Sequence, residues 1–91
     1  LSEAKLEGAE LYGADLREAR LYRADLTRAL LDRSNLMHAD LVSTKVEGAR
    51  FRSANLFEAQ LLNAAGEGVD FSGANLEGCV YTKTRRTELD G

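Results

Sequence analysis

Residues 14–28 read ADLRE-ARLYR-ADLTR, three five-residue phrases in which a large apolar residue (Leu16, Leu21, Leu26) follows a small one (Ala14, Ala19, Ala24) by two positions. Followed outward, the same beat runs through most of the chain. The large track is Leu1, Leu6, Leu11, Leu16, Leu21, Leu26, Leu31, Leu36, Leu41, Val46, Phe51, Leu56, Leu61, Phe71, Leu76 and Tyr81, broken only at Gly66. The small track runs from Ala4 to Thr84 and includes Ser34, Thr44 and Cys79, with Val69 its one medium-sized member. A period of five suits neither common element. On a helix, residues five apart are rotated by about 140°, so the leucines would spread around the cylinder and form no apolar stripe. A strand with period two would send alternate leucines to opposite faces. The reading that keeps both tracks inside is a solenoid: each unit makes one short side and a turn, and stacking supplies a core that no unit could bury alone.

The units Ala14-Asp15-Leu16-Arg17-Glu18, Ala24-Asp25-Leu26-Thr27-Arg28, Ala54-Asn55-Leu56-Phe57-Glu58 and Ala74-Asn75-Leu76-Glu77-Gly78 resemble the A(D/N)LXX motif of pentapeptide-repeat proteins, and the resemblance extends over about residues 1 to 84. It implies an all-β fold: a right-handed quadrilateral parallel β-helix with four units to a square coil, here about four coils. The expected organisation is one repeat domain over residues 1–84, followed by a polar C-terminal cap or tail over residues 85–91.

Composition fits. The 91 residues carry a net charge of −3 and contain no proline, as expected where backbone N–H groups are needed for ladders between coils. No run of about 20 apolar residues is present for a membrane helix, and no signal-peptide pattern opens the chain. Leu1 already lies on the repeat. The start of the gene product is therefore expected upstream, and the cytoplasmic location assumed here is not read from a targeting segment.

Sites for chemistry are scarce. Cys79 occupies a small inward slot and reads as a buried spacer. His38, beside Met37, has no second His or Cys with which to share a metal, so it reads as a surface histidine. The segment Gly66-Glu67-Gly68-Val69-Asp70-Phe71 opens like a dinucleotide fingerprint but has Phe71 where the last glycine belongs, and reads as a damaged repeat. Catalytic, cofactor-binding and metal residues are expected to number none.

With four units per coil, residues twenty apart stack in columns. Asp15, Asn35, Asn55 and Asn75 form one such column, read as structural hydrogen bonding. Outward positions that are usually polar instead carry Met37 and Phe57 on one face and Tyr22, Val42 and Leu62 on the next. These five are expected to form an apolar edge for protein contact. At Gly66 a large inward residue is missing above Val46, so underpacking and a local bulge are expected there, without loss of phase.

The function expected is a non-enzymatic interaction scaffold or docking domain, a segment of a longer bacterial protein such as a secretion-system adaptor or effector. It would contact a protein partner, or itself, through the apolar edge or through an uncapped N-terminal end. Some members of the family are DNA mimics that bind type II topoisomerases. That alternative needs a long acidic face, whereas here Glu7, Glu47 and Glu67 lie beside Lys5, Asp25 and Lys45, with Arg50 and Arg52 on the neighbouring face. Nucleic-acid binding and membrane insertion are not expected.

Overall fold

The computed structural model describes residues 2–80. The expected cap at residues 85–91, Thr84 and Tyr81, and Leu1, lie outside the described residues. The chain folds as the right-handed quadrilateral β-helix implied above, and its strand contacts are one residue wide. Parallel bridges join residues twenty apart in four columns: Lys5–Asp25–Lys45–Ala65, Glu10–Leu30–Arg50–Asp70, Asp15–Asn35–Asn55–Asn75 and Arg20–Asp40–Gln60–Val80. Each column marks one side of the square. The first face centres on Leu6, Leu26, Val46 and Gly66, the second on Leu11, Leu31, Phe51 and Phe71, the third on Leu16, Leu36, Leu56 and Leu76, and the fourth on Leu21, Leu41 and Leu61.

The five-residue unit follows from where its backbone N–H groups go. In the Leu36 unit, the Leu36 N–H donates to the Asn55 carbonyl of the next coil at 2.7 Å, and the His38 N–H donates to the Phe57 carbonyl at 2.9 Å. The Asn35 N–H donates back to the Ala14 carbonyl of the preceding coil at 2.9 Å. The Ala39 N–H closes the corner on the Leu36 carbonyl at 2.9 Å. That leaves the N–H of Met37, which the Asn35 side-chain oxygen accepts at 3.2 Å. Asp15, Asp25, Asp40, Asn55, Asp70 and Asn75 do the same for Arg17, Thr27, Val42, Phe57, Ser72 and Glu77. This is the physical reason for Asp or Asn before the leucine: an oxygen two atoms from the backbone reaches forward two residues. The third-face column also bonds along itself, Asn55 Nδ2 donating to Asn35 Oδ1 at 3.2 Å and Asn75 Nδ2 to Asn55 Oδ1 at 3.3 Å.

Every corner carries a residue with positive φ, as the third residue of a type II turn requires. Glycine supplies it at Gly8 and Gly13, but Glu3, Arg23, Arg28, Arg33 and His38 hold φ of 58 to 62° as well. The ladder above and below over-determines these corners and carries the strain of a side chain in the left-handed region.

Inside, the two tracks interlock. Leucines 21, 26, 31, 36, 41, 56 and 61, with Val46 and Phe51, are fully buried, as are alanines 24, 29, 39, 49 and 59. Ser34 and Thr44 fill small slots because their hydroxyls donate to the Leu31 and Leu41 carbonyls at 2.7 and 2.9 Å. Phe51 and Phe71 stack at 5.2 Å. Towards the ends Leu6, Leu11, Leu16, Phe71 and Leu76 are only partly buried.

Gly66 is the defect expected, in a different form. Its φ is +151°, and a methyl group added there would lie 2.4 Å from the Glu47 amide nitrogen. The backbone is laid onto the coil below instead of bulging over a gap, and Val46 and Val69 stay sealed from solvent. The bridge from Lys45 to Ala65 persists, so phase is kept.

Two stability outcomes follow from this packing. Leu36→Ala, fully buried, should lower unfolding free energy in urea by about 2–5 kcal/mol, and Leu16→Ala on the partly covered first coil by visibly less. Gly66→Ala should cost about 1–3 kcal/mol through overpacking against Glu47, whereas Gly13→Ala, with the same sign of φ and nothing within 4 Å, should cost less in the same titration.

Candidate functional site

The five residues of the expected contact edge sit at two successive corners, Met37 and Phe57 beside the corner residues His38 and Glu58, and Tyr22, Val42 and Leu62 beside Arg23, Ser43 and Asn63 at the far end of the fourth face. Met37 and Phe57 follow Leu36 and Leu56, one coil apart, and are half-buried. Tyr22, Val42 and Leu62 follow Leu21, Leu41 and Leu61; Tyr22 and Leu62 are 41% and 42% exposed, and Val42 is half-buried. For three of them the backbone N–H is held by the side chain before the leucine. Asn35 and Asn55 cap the N–H of Met37 and Phe57, and Asp40 caps that of Val42.

The two strips are separated by polar residues. His38 and Glu58 occupy the first of these corners, with His38 Nδ1 3.4 Å from Glu58 Oε1. The bridged pair Asp40 and Gln60 lies just beyond. The His38 ring meets Phe57 edge-on at a centroid distance of 5.9 Å, extending the third-face strip onto the corner. The structure adds Val80, 48% exposed and bridged to Gln60, which widens the fourth-face strip at its upper end. Sequence columns drawn only after each leucine miss it, because it lies before Tyr81; its signal is that Arg20, Asp40 and Gln60 share that column. Tyr12, 47% exposed, lies apart on the second face.

At the foot of the third-face strip, Asp15, Arg17, Glu18 and Met37 line a shallow hollow of about 390 Å³. Arg17 grips Asp15 with two bonds, Nε to Oδ1 at 2.8 Å and Nη2 to Oδ2 at 2.7 Å. The Arg17 guanidinium, helped by its backbone N–H, holds the Asp15 carboxyl down at about 2. The Thr27 hydroxyl and N–H lower Asp25, and the Ser72 hydroxyl with Arg52 places Asp70 well below the usual carboxylate range.

Nothing here converges as catalytic machinery would. Cys79 sits in its inward slot and donates to the Leu56 carbonyl at 2.9 Å. It is half-buried and not fully buried as expected, because no described coil lies over it, and burial raises its pKa. Among the described residues no group of three or more His, Cys, Asp or Glu side chains is placed to hold a metal ion. The one buried carboxylate among them, Asp32, is held by Arg50 Nη2 at 2.6 Å.

A family model described as pentapeptide repeats matches the chain in 8 copies, over residues 1–33 and 34–65. Among solved structures, a pentapeptide repeat protein from the cyanobacterium Cyanothece 51142 is 32% identical with a TM-score of 0.68, over 91% of this chain and 53% of its own. One from Nostoc Pcc 7120 is 29% identical with a TM-score of 0.61, over 82% of this chain and 62% of its own. A third, from the Arabidopsis thaliana thylakoid lumen, is 26% identical with a TM-score of 0.61, over 87% and 62%. The chain therefore spans between 53% and 62% of the length of these structures. No curated protein matches it in sequence.

The depressed carboxyls carry a signed pH dependence. Each contributes stability above the unfolded carboxylate range, near pH 4, and loses it as pH falls towards the folded value, about 2 for Asp15. Stability to urea should decline between about pH 5 and pH 2. A variant with Asp15→Asn, Asp25→Asn and Asp70→Asn keeps the capping oxygens and should show a flatter profile over that window.

Proposed function

This chain belongs to the pentapeptide-repeat family, and from that premise we propose that it is a non-enzymatic protein-interaction scaffold whose contact surface is the pair of corners bearing Tyr22, Met37, Val42, Phe57 and Leu62, with Val80 added. Proteins of this family are generally structural or interaction proteins. The observation that supports the reading is a pair of apolar strips at the two corners that bound the fourth face, on a fold that devotes its other positions to the repeat. An exposed cluster of large apolar side chains on one side of a folded chain marks a contact surface.

Size decides how a partner must bind. One face is roughly 19 Å tall by 10 Å wide, from a 4.8 Å coil spacing and three residues of strand, or about 200 Å². A stable complex buries about 800 Å² per partner. The third and fourth faces together offer about 400 Å², half of that, so a partner docked there binds weakly and transiently or reaches onto the remaining faces. We propose that the segment serves as such a docking prism within a longer cytoplasmic bacterial protein, of the secretion-system adaptor or effector kind. No helix among the described residues is long and apolar enough to cross a membrane.

The topoisomerase-directed DNA mimic is the weaker alternative. The four corners of the second coil are Arg23, Arg28, Arg33 and His38, all at positive φ. This belt interrupts an acidic strip whichever side it runs along, and Arg50 and Arg52 add cations that Asp32 and Asp70 pair.

The test compares immobilised parent chain with a Phe57→Asp, Leu62→Asp variant and a Tyr12→Asp control in a quantitative pull-down from the source cell, circular dichroism verifying all three folds. Proteins held by the parent and control but lost by the variant are the expected result. Identical retention by all three would remove the two corners from the proposal, and inhibition of gyrase supercoiling by the parent would favour the mimic.

A further inference from the structure

Charge is distributed unevenly over the sides of the prism. Among the described residues, with each face taken together with the corner that follows it, the second face carries three acids and three cations, the fourth two of each, and the first four acids and three cations. The third carries four acids, Asp15, Glu18, Glu58 and Glu77, against Arg17, with histidine counted as neutral. Arg17 is engaged with Asp15 through bonds of 2.8 and 2.7 Å, and His38 lies 3.4 Å from Glu58. Glu18 and Glu77 form no ion pair among the described residues, and both are exposed.

These two acids stand at the ends of the third-face apolar strip. Along the prism the order is Glu18 in the first coil, Met37 in the second, Phe57 in the third and Glu77 in the fourth. Met37 and Glu18 line the same hollow of about 390 Å³, with Asp15 and Arg17. An apolar wall beside a free carboxylate suits a lysine or arginine side chain, whose stem lies on apolar surface while its head stays charged. An acidic or neutral occupant would leave Glu18 unanswered, and complementary charge is what selects one partner over another. Coils rise by about 4.8 Å, so Glu18 and Glu77 are about 14 Å apart along the axis. In an extended chain residues i, i+2 and i+4 point the same way, and i and i+4 are about 13 Å apart. A strand fits within a face roughly 10 Å wide. A helix, about 10–12 Å across with its side chains, would overhang it.

We propose that the third face docks an extended basic–apolar–basic segment of a partner protein. Its first cation enters the hollow, stem on Met37 and head at Glu18; its apolar residue, two positions on, covers Phe57; its second cation, two further on, meets Glu77. This rests on the scaffold reading and names the chemistry of the partner.

The probe is the acetylated and amidated peptide Arg-Thr-Leu-Thr-Arg, titrated into the ¹⁵N-labelled chain while amide shifts are followed. Shifts should concentrate at Glu18, Met37, Phe57 and Glu77. A Glu18→Gln, Glu77→Gln variant, which loses two exposed ion pairs, should bind about fivefold more weakly. Salt at 1 M, where the screening length falls to about 3 Å, should weaken binding by the parent in the same way. The peptides Glu-Thr-Leu-Thr-Glu and Arg-Thr-Ser-Thr-Arg, lacking the cations and the apolar residue in turn, should shift these amides little. If the double variant does not fold, the three peptides on the parent decide. Equal binding of either control peptide, an unchanged affinity in the double variant, or no binding of the basic peptide at millimolar concentration overturns the proposal. So does a shift of the same amides with protein concentration alone, as cover by a second copy would give. None of these outcomes touches the scaffold reading, which the pull-down decides separately.

Discussion

The structure depends on one requirement: the buried backbone N–H groups must find acceptors although the described residues form no helix or broad sheet to supply them. A five-residue unit gives three donors to neighbouring coils and one to the corner turn, and where Asp or Asn precedes the large residue its side chain takes the fifth. The Asn35 unit shows all five, with Met37 N–H on Asn35 Oδ1 as the last. A unit of four or six residues would leave a donor without a place or a side chain on the wrong side of the wall. The leucine core is large, but it is the ladder that sets where each leucine points, and net hydrogen-bond gains are modest while an unmade buried bond is expensive.

The same ladder explains which parts of the fold are legible in sequence. Alternation of large and small residues across the track is a packing statement, and packing is local enough to read: Leu36 and Ala39, or Leu56 and Ala59, fill the slots their spacing assigns. The Asn35–Asn55–Asn75 column is equally visible once the coil length is known. The corners are not. Glycine at Gly8 or Gly13 announces a positive φ, but Arg23, Arg28 and His38 take it without any chemical mark, because the coils above and below impose it.

The proposed contact edge is legible in its members and not in its form. Tyr22, Val42 and Leu62 can be aligned from numbering alone, as can Met37 and Phe57. That His38 leans its ring edge on Phe57, and that Glu58, Asp40 and Gln60 divide the two strips, follows from the angle between faces, which numbering does not contain. The Gly66 distortion is similar. Loss of a side chain is plain in the sequence, yet whether the backbone opens outward or settles onto Glu47 depends on how near the next coil already lies.

The bridges that pair residues twenty apart also govern how such a protein can change over generations. Gain or loss of one residue turns the inside of every later unit outward and is ruinous. Gain of five residues leaves the interior intact but turns everything downstream by a quarter revolution, carrying a side chain such as Leu62 from one face to its neighbour. Gain of twenty lengthens the prism and leaves every face where it was. Duplication in small steps is thus a way of re-aiming a surface without redesigning it, and the charged and apolar columns of this chain are free to be dealt out again around an unchanged core.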